Sequence, residues 1–255
     1  MKKKTLFILS LTALFLFSAC TKRSEKTIEE FFEAYNSEDY STIKDMGFGE
    51  NENLLVDLAK YAIEQIGEVE KYKKYEFGSK MEDKTKIVTL YYECETSKGE
   101  ETIYFKFELI EADGNPPQIK SILYSQYKKF IDDYDENHEK ALDAVENYYK
   151  SLKEDDSDGI YDLLDEKITD DEKIVESFFS LIDNRRSYYG WIESKKYSHT
   201  KSNFYDGKTQ FYIYHKCKSE EGKEFYEEIA LIEAGSKFKI TNFRYAKTIE
   251  DIESI

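Results

Sequence analysis

Gly67-Glu68-Val69-Glu70 recurs as Gly190-Trp191-Ile192-Glu193, and the spacing of 123 residues then runs on without a gap. It pairs Lys73 with Lys196, Ser79 with Ser202, Tyr91 with Tyr214, Cys94 with Cys217 and Gly99 with Gly222. One residue drops out, and Leu109-Ile110-Glu111-Ala112 returns as Leu231-Ile232-Glu233-Ala234. Chance supplies isolated matches but not a constant register, so one structural unit is written twice. Each copy must adopt the same fold and bury its own core. The chain has 255 residues, 40% hydrophobic and 16% aromatic, which is enough apolar material for two domains of ordinary size.

Each copy begins with helical periodicity. Ile28, Phe31, Phe32 and Tyr35 form one apolar stripe, with Thr27 and Glu30 placed to make a capping box. Leu142, Val145, Tyr149 and Leu152 form the stripe of the second copy. A short second helix carries Tyr40, Ile43 and Met46, matched by Ile160, Leu163 and Leu164. A third carries Leu55, Leu58, Ala59, Ala62 and Ile66; its counterpart carries Val175, Phe178, Phe179 and Ile182, with Thr169 and Glu172 as the expected cap. Period two then takes over. Val88, Leu90, Tyr92 and Cys94 alternate with polar residues, and Ile103, Phe105, Phe107 and Leu109 repeat the pattern one hairpin later. Turns fall at Ser97-Lys98-Gly99, Asp206-Gly207, Glu221-Gly222 and Gly235-Ser236, the Asp-Gly pair being a strong hairpin signal. Helices followed by an antiparallel four-stranded meander define an α+β unit in which the helices cover one sheet face.

The N-terminus carries an address. Lys2, Lys3 and Lys4 precede an apolar run over Leu6 to Phe17, and Ser18-Ala19 follows, the order of a secretory signal. The run is shorter than the ~18 residues a bilayer span requires. Cys20 after Leu16-Phe17-Ser18-Ala19 resembles a bacterial lipoprotein lipobox, with Phe17 where Leu is usual. That resemblance implies cleavage before Cys20 and attachment of palmitate-type acyl chains to its sulfur. The formal net charge is −16, and −19 without Lys2, Lys3 and Lys4; residues 21–134 hold 25 acidic and 16 basic side chains and residues 135–255 hold 28 and 18, an even deficit with no basic patch. Nucleic acid is therefore excluded as a partner, because a phosphate backbone needs clustered Lys or Arg. The same charge repels an anionic membrane surface, leaving the lipid to anchor the chain.

The order of elements, with Gly-x-(Val/Ile)-Glu entering the first strand, resembles the NTF2-like cone fold, especially the bacterial lipoproteins that carry such domains behind a lipobox. The implied fold class is α+β, with two tandem NTF2-like domains. Each has N-terminal helices packed on a curved antiparallel four-stranded sheet and a pocket at the open end of the cone. The expected organisation is a signal peptide over 1–19, a lipidated linker over 20–24 and domain 1 over 25–128. A stiff join over 129–137, domain 2 over 138–248 and a tail over 249–255 follow. Within the cones Tyr35, Tyr92, Tyr149 and His215 are the candidate pocket-lining residues. His215 takes the place of Tyr92 and shares a strand face with Phe211, Ile213 and Cys217.

No catalytic residue is nominated. His138, His199 and His215 lack the context of a Ser or Cys nucleophile. Cys94 and Cys217 occupy equivalent apolar strand positions and are expected as buried free thiols. Glu154, Asp156, Asp158, Gly159, Asp162 and Asp165 fall at calcium-loop positions, but Glu stands first and Asp last, and the first copy has no such series. A solvated helix link is the expectation, with no metal and no cofactor. The outer strand faces carry Tyr91, Tyr104, Tyr212, Tyr214 and Tyr226, which suit either plain strand propensity or a sheet-mediated pseudo-dimer or homodimer. The expected function is non-catalytic binding of a small ligand, peptide or protein partner by an exported protein, lipid-anchored to the bacterial cell envelope. An isomerase- or hydratase-type enzyme using one cone, and a purely structural assembly module, are the alternatives.

Overall fold

The computed structural model describes residues 22–82, 85–99, 101–112 and 115–253. Cys20 and the signal segment lie outside them. The chain divides between Ile131 and Asp132 into two compact units.

In the first unit residues 22–36 form helix α1. Helices α2 (Tyr40–Asp45) and α3 (Glu52–Ile66) follow. Strands β1 (Val69–Glu82), β2 (Thr85–Thr96), β3 (Ile103–Glu111) and β4 (Gln118–Ser125) then pair in that order as an antiparallel meander. Helix α4 (Lys128–Asp132) comes next. The second unit repeats the plan with α5 (Tyr134–Glu154), α6 (Ser157–Tyr161), α7 (Glu166–Thr169) and α8 (Glu172–Tyr189). Its sheet is β5 (Ile192–Tyr205), β6 (Lys208–Ser219), β7 (Glu224–Ala234) and β8 (Lys237–Ala246), and α9 (Ile249–Glu253) ends it. Both units are thus α+β, helices on a four-stranded antiparallel sheet.

The repeat holds down to its irregularities. The first hairpin is bulged between Val69 and Lys71 and between Lys74 and Glu76; the second is bulged between Ile192 and Ser194 and between Tyr197 and His199. Bulges at Glu108/Leu109 and Ala230/Leu231 also correspond. Each inserted residue bends its strand and sharpens the local twist, so both sheets curve at the same places. The inner faces carry the alternating apolar residues. Val88, Leu90, Tyr92 and Cys94 of β2 and Ile103, Phe105, Phe107 and Leu109 of β3 pack under Ile28, Phe31, Phe32 and Tyr35 of α1. Phe211, Ile213, Ile229 and Leu231 pack likewise under Val145, Tyr148, Tyr149 and Leu152 of α5.

Gly67 and Gly190 end α3 and α8 with φ of 77° and 92°. That left-handed region favours glycine. At Gly67 a Cβ would also sit 2.3 Å from the Ser97 hydroxyl oxygen. The turn motif seen in the sequence is therefore a helix stop that aims the chain into the first strand.

Two expected caps are corrected. Thr27 and Glu30 do not open a helix, because α1 already runs from residue 22. Within α1 the hydroxyl of the buried Ser24 donates to Glu111 at 2.7 Å, and Thr27 donates back to the Arg23 carbonyl. Thr169 and Glu172 do not form a box either. Asp165 caps α7, so Thr169 is already helical, and Asp171 caps α8 by accepting from the Lys173 N–H at 2.9 Å.

Residues 249–253, read from sequence as tail, form α9, which packs on β7 and β8. Helix α4 stands at the equivalent place after β4, and Ile131 and Ile252, 121 residues apart like Ile119 and Ile240, are both 0% exposed. Ile252→Ala is expected to destabilise the second unit by about 2–4 kcal/mol, the usual cost of emptying a closed apolar site. Denaturant unfolding checks this; an unchanged midpoint would mean that α9 is only loosely attached.

Candidate functional site

The two cones differ in what fills them. Three inward positions change character between the copies: Ala62, Tyr92 and Phe105 in the first unit become Arg185, His215 and Glu227 in the second. In the first unit the Phe32 ring packs against Tyr72, Tyr92, Phe105 and Phe107 with centroids 4.7–5.9 Å apart. The Tyr35 hydroxyl donates to the Gly67 carbonyl at 2.8 Å. Tyr35 and Tyr92 are therefore part of a packed aromatic core.

In the second unit Arg185 reaches in from α8 and Glu227 from β7. Their Nε and Oε1 atoms are 3.0 Å apart, and the side chains are 2% and 0% exposed. Arg185 Nη1 donates to the Gly190 carbonyl at 3.1 Å, so it takes over the task that Tyr35 performs in the first unit. Burial raises the Glu227 carboxyl above its ordinary range, while Arg185, Tyr149 and Cys217 oppose the rise. Burial likewise pushes the hydroxyls of Tyr148 and Tyr149 well above 10. The Tyr149 hydroxyl lies 3.9 Å from Cys217 Sγ. Two ions taken out of water this completely persist only as a close pair.

His215 lies beside this pair, opposite Glu227 across the β6–β7 ladder and edge-on to Tyr149 at 5.3 Å. It is 3% exposed, and burial, with help from the Lys195 charge and against Glu146, lowers its pKa to about 4. The imidazole is therefore neutral at pH 7. Cys94 and Cys217 are buried free thiols; burial pushes Cys94 up to about 12 and Cys217 higher still, so neither forms the thiolate that a nucleophile needs.

Arg185 also borders a cavity of about 460 Å³. Tyr149, Leu152, Trp191 and Ile192 form its apolar wall, Arg185 lies on its inner side, and Lys153 and Lys195 border it. The Arg186 guanidinium stacks 3.8 Å from the Trp191 ring and is held by Asp155 at 3.0 Å. Lys195 is bonded to Glu146, with its ammonium 4.7 Å from the Tyr149 ring centre. Of the four residues nominated from sequence, Tyr149 lines this cavity, His215 lies buried beside its floor, and Tyr35 and Tyr92 belong to the other core.

The acidic series around Glu154 is a helix link. Asp156 caps α6 by accepting from the Gly159 N–H at 2.9 Å, and Asp165 caps α7. Among the described residues no three His, Cys, Asp or Glu side chains gather as a metal ion would require. Among the same residues no helix is long and apolar enough to cross a membrane. On the outer face of the second sheet Tyr214 is buried. Its hydroxyl donates to Glu228 at 2.6 Å, and His199 stacks on its ring at 4.4 Å. His199 and Lys201 both bond Glu253 of α9.

No protein-family model and no curated protein matches the sequence. Among solved structures the chain is similar to Bd1075 of Bdellovibrio bacteriovorus, at 17% identity and a TM-score of 0.33, over 52% of this chain and 48% of that one. It thus spans about half the length of that protein. It is also similar to an Ntf2-like protein involved in plasmid conjugation, at 10% identity and a TM-score of 0.24, over 80% of this chain and 91% of that one. The chain's own architecture, helices on a bulged four-stranded antiparallel sheet built twice, fits tandem NTF2-like domains.

Proposed function

We propose that the second unit is a non-catalytic binding module for a small ligand, and that the first unit is its filled structural copy. The observation that carries this reading is the contrast between the cones. On the inner face of the first sheet aromatic rings pack closely, and that unit's hollow of about 410 Å³ lies apart from them beside Asp45 and Pro116; in the second unit the buried Arg185 itself lines a cavity of about 460 Å³, a volume within the usual range for small-molecule sites. Acid–base chemistry has little footing there, since His215 is neutral and buried among rings, the Cys217 thiol is protonated, and the Glu227 carboxyl is fully buried against Arg185. Cys20, acylated as its lipobox-like context suggests, would hold the module at the cell envelope.

The chain has one tryptophan, and it is Trp191 in the cavity wall. Its fluorescence should change saturably when a fragment enters the cavity, with calorimetry as a second readout. A broad panel of acidic, neutral and basic fragments that leaves both signals unchanged would refute the reading. Acyl labelling of the wild type but not of Cys20→Ala is expected; equal labelling would refute the anchor.

A further inference from the structure

We infer that the cavity of the second unit takes a small monocarboxylate with an apolar or aromatic body, an inference that rests on the small-ligand reading above. The charges of the cavity decide the class. Arg185 is a guanidinium almost wholly removed from water, yet it forms part of the cavity wall. A guanidinium has five N–H donors in a planar fork, and Glu227 and the Gly190 carbonyl engage Nε and Nη1. The fork geometry matches a carboxylate better than it matches any neutral group. Lys153 adds an exposed cation at the border, and Lys195, paired with Glu146, lies beside it. The acids at the rim, Glu193 and Glu220, are exposed, and Glu193 is already paired with Lys218 at 3.3 Å.

The aromatic walls argue against a cationic ligand. An ammonium seeks the face of a tryptophan or tyrosine ring. Here the Trp191 ring is covered by Arg186 and the Tyr149 ring by Lys195, both cations of the protein itself. A ligand cation would have to displace one of them. An anion would share Arg185 with Glu227 and Lys195 with Glu146, without having to displace either, and its apolar body has Leu152, Ile192 and the free ring edges to lie on. The positive field is felt within the cone as well, since the Lys195 charge contributes to the low pKa of His215.

The test compares three probes of one shape: phenylacetate, phenylacetamide and phenethylamine, read by Trp191 fluorescence and calorimetry on the whole protein. Phenylacetate is expected to bind at least about 10-fold more tightly than the amide, the lower end of what charge-assisted hydrogen bonds contribute. Lys153→Met, a change at an exposed position, should reduce that preference, and adding Lys195→Met should reduce it further, with circular dichroism confirming that the double variant is folded. Arg185→Ala combined with Glu227→Phe should abolish it, with circular dichroism confirming that the variant is folded. Equal binding of acid and amide, or tighter binding of the amine, would overturn the carboxylate inference and leave the small-ligand reading standing. Failure of all three probes, together with failure of the broader panel, would overturn both.

Discussion

Arg185→Ala is expected to be the most damaging single substitution in the second unit. It strands the Glu227 carboxylate at 0% exposure and strips the Gly190 carbonyl of its donor. Removing one partner of a buried ion pair costs about 3–5 kcal/mol, because the remaining charge has no compensation. For a unit of this size that lowers the melting temperature by roughly 10–20 °C. The cost depends on pH with a definite sign. Without Arg185 the folded-state pKa of Glu227 rises further above its ordinary 4.5. A carboxyl whose folded pKa is raised contributes stability only while protonated and loses it as the pH rises. The deficit of the variant should therefore be larger at pH 8 than at pH 5. The double variant Arg185→Ala, Glu227→Phe installs the residues found at Ala62 and Phe105 of the first unit, and it should recover most of the loss. A double variant no more stable than Arg185→Ala, measured by thermal unfolding, would show that the stranded charge is not the source of the damage.

The second large effect is acid sensitivity through His215. Its folded pKa is about 4 against an ordinary 6.5. The unfolded chain therefore binds a proton in that window that the folded chain refuses. The stability contributed by the neutral imidazole is complete above 6.5 and is lost as the pH falls toward 4, about 3 kcal/mol in all. Lys195 adds to the depression and Glu146 opposes it, while Tyr149, Tyr197 and Glu227 are its other neighbours. His215→Tyr, which copies Tyr92 of the first unit, removes the titrating group. Unfolding midpoints at pH 7 and pH 4 should differ less in this variant than in the wild type. Equal differences would refute the assignment.

Most of the fold was legible because the sequence states it twice. The register from Gly67 to Gly190 carries through both hairpins and even matches their bulges. The alternation in β2 and β3 gave the inner face correctly, with Val88, Leu90, Tyr92 and Cys94 all buried. What escaped were groups whose role depends on tertiary partners. Arg185 continues the α8 stripe of Val175, Phe178 and Ile182, and Glu227 lies between Phe225 and Ile229 on the inner face of β7. Each departs from the apolar pattern, and that departure, set against Ala62 and Phe105, was the signal available for the cavity. Thr27 is no cap because it lies inside α1, which already includes residues 22–26 and is tied to β3 through Ser24 and Glu111. Helices α4 and α9 have five residues each, too few for a period to show, so the burial of Ile131 and Ile252 follows only from three-dimensional packing. Tyr214 sits on the outer face by alternation, yet it is covered by His199 and bonded to Glu228.

In the first copy a tyrosine holds the carbonyl of the helix-ending glycine, and in the second an arginine holds it. This arginine is also the partner of Glu227, so the two side chains can be exchanged only together. Loss of the acid alone leaves an uncompensated guanidinium, and loss of the base alone leaves an uncompensated carboxylate, whereas a simultaneous swap to the alanine and phenylalanine of the first copy leaves no stranded charge. Anyone redesigning this chamber for another guest must treat positions 185 and 227 as a single unit.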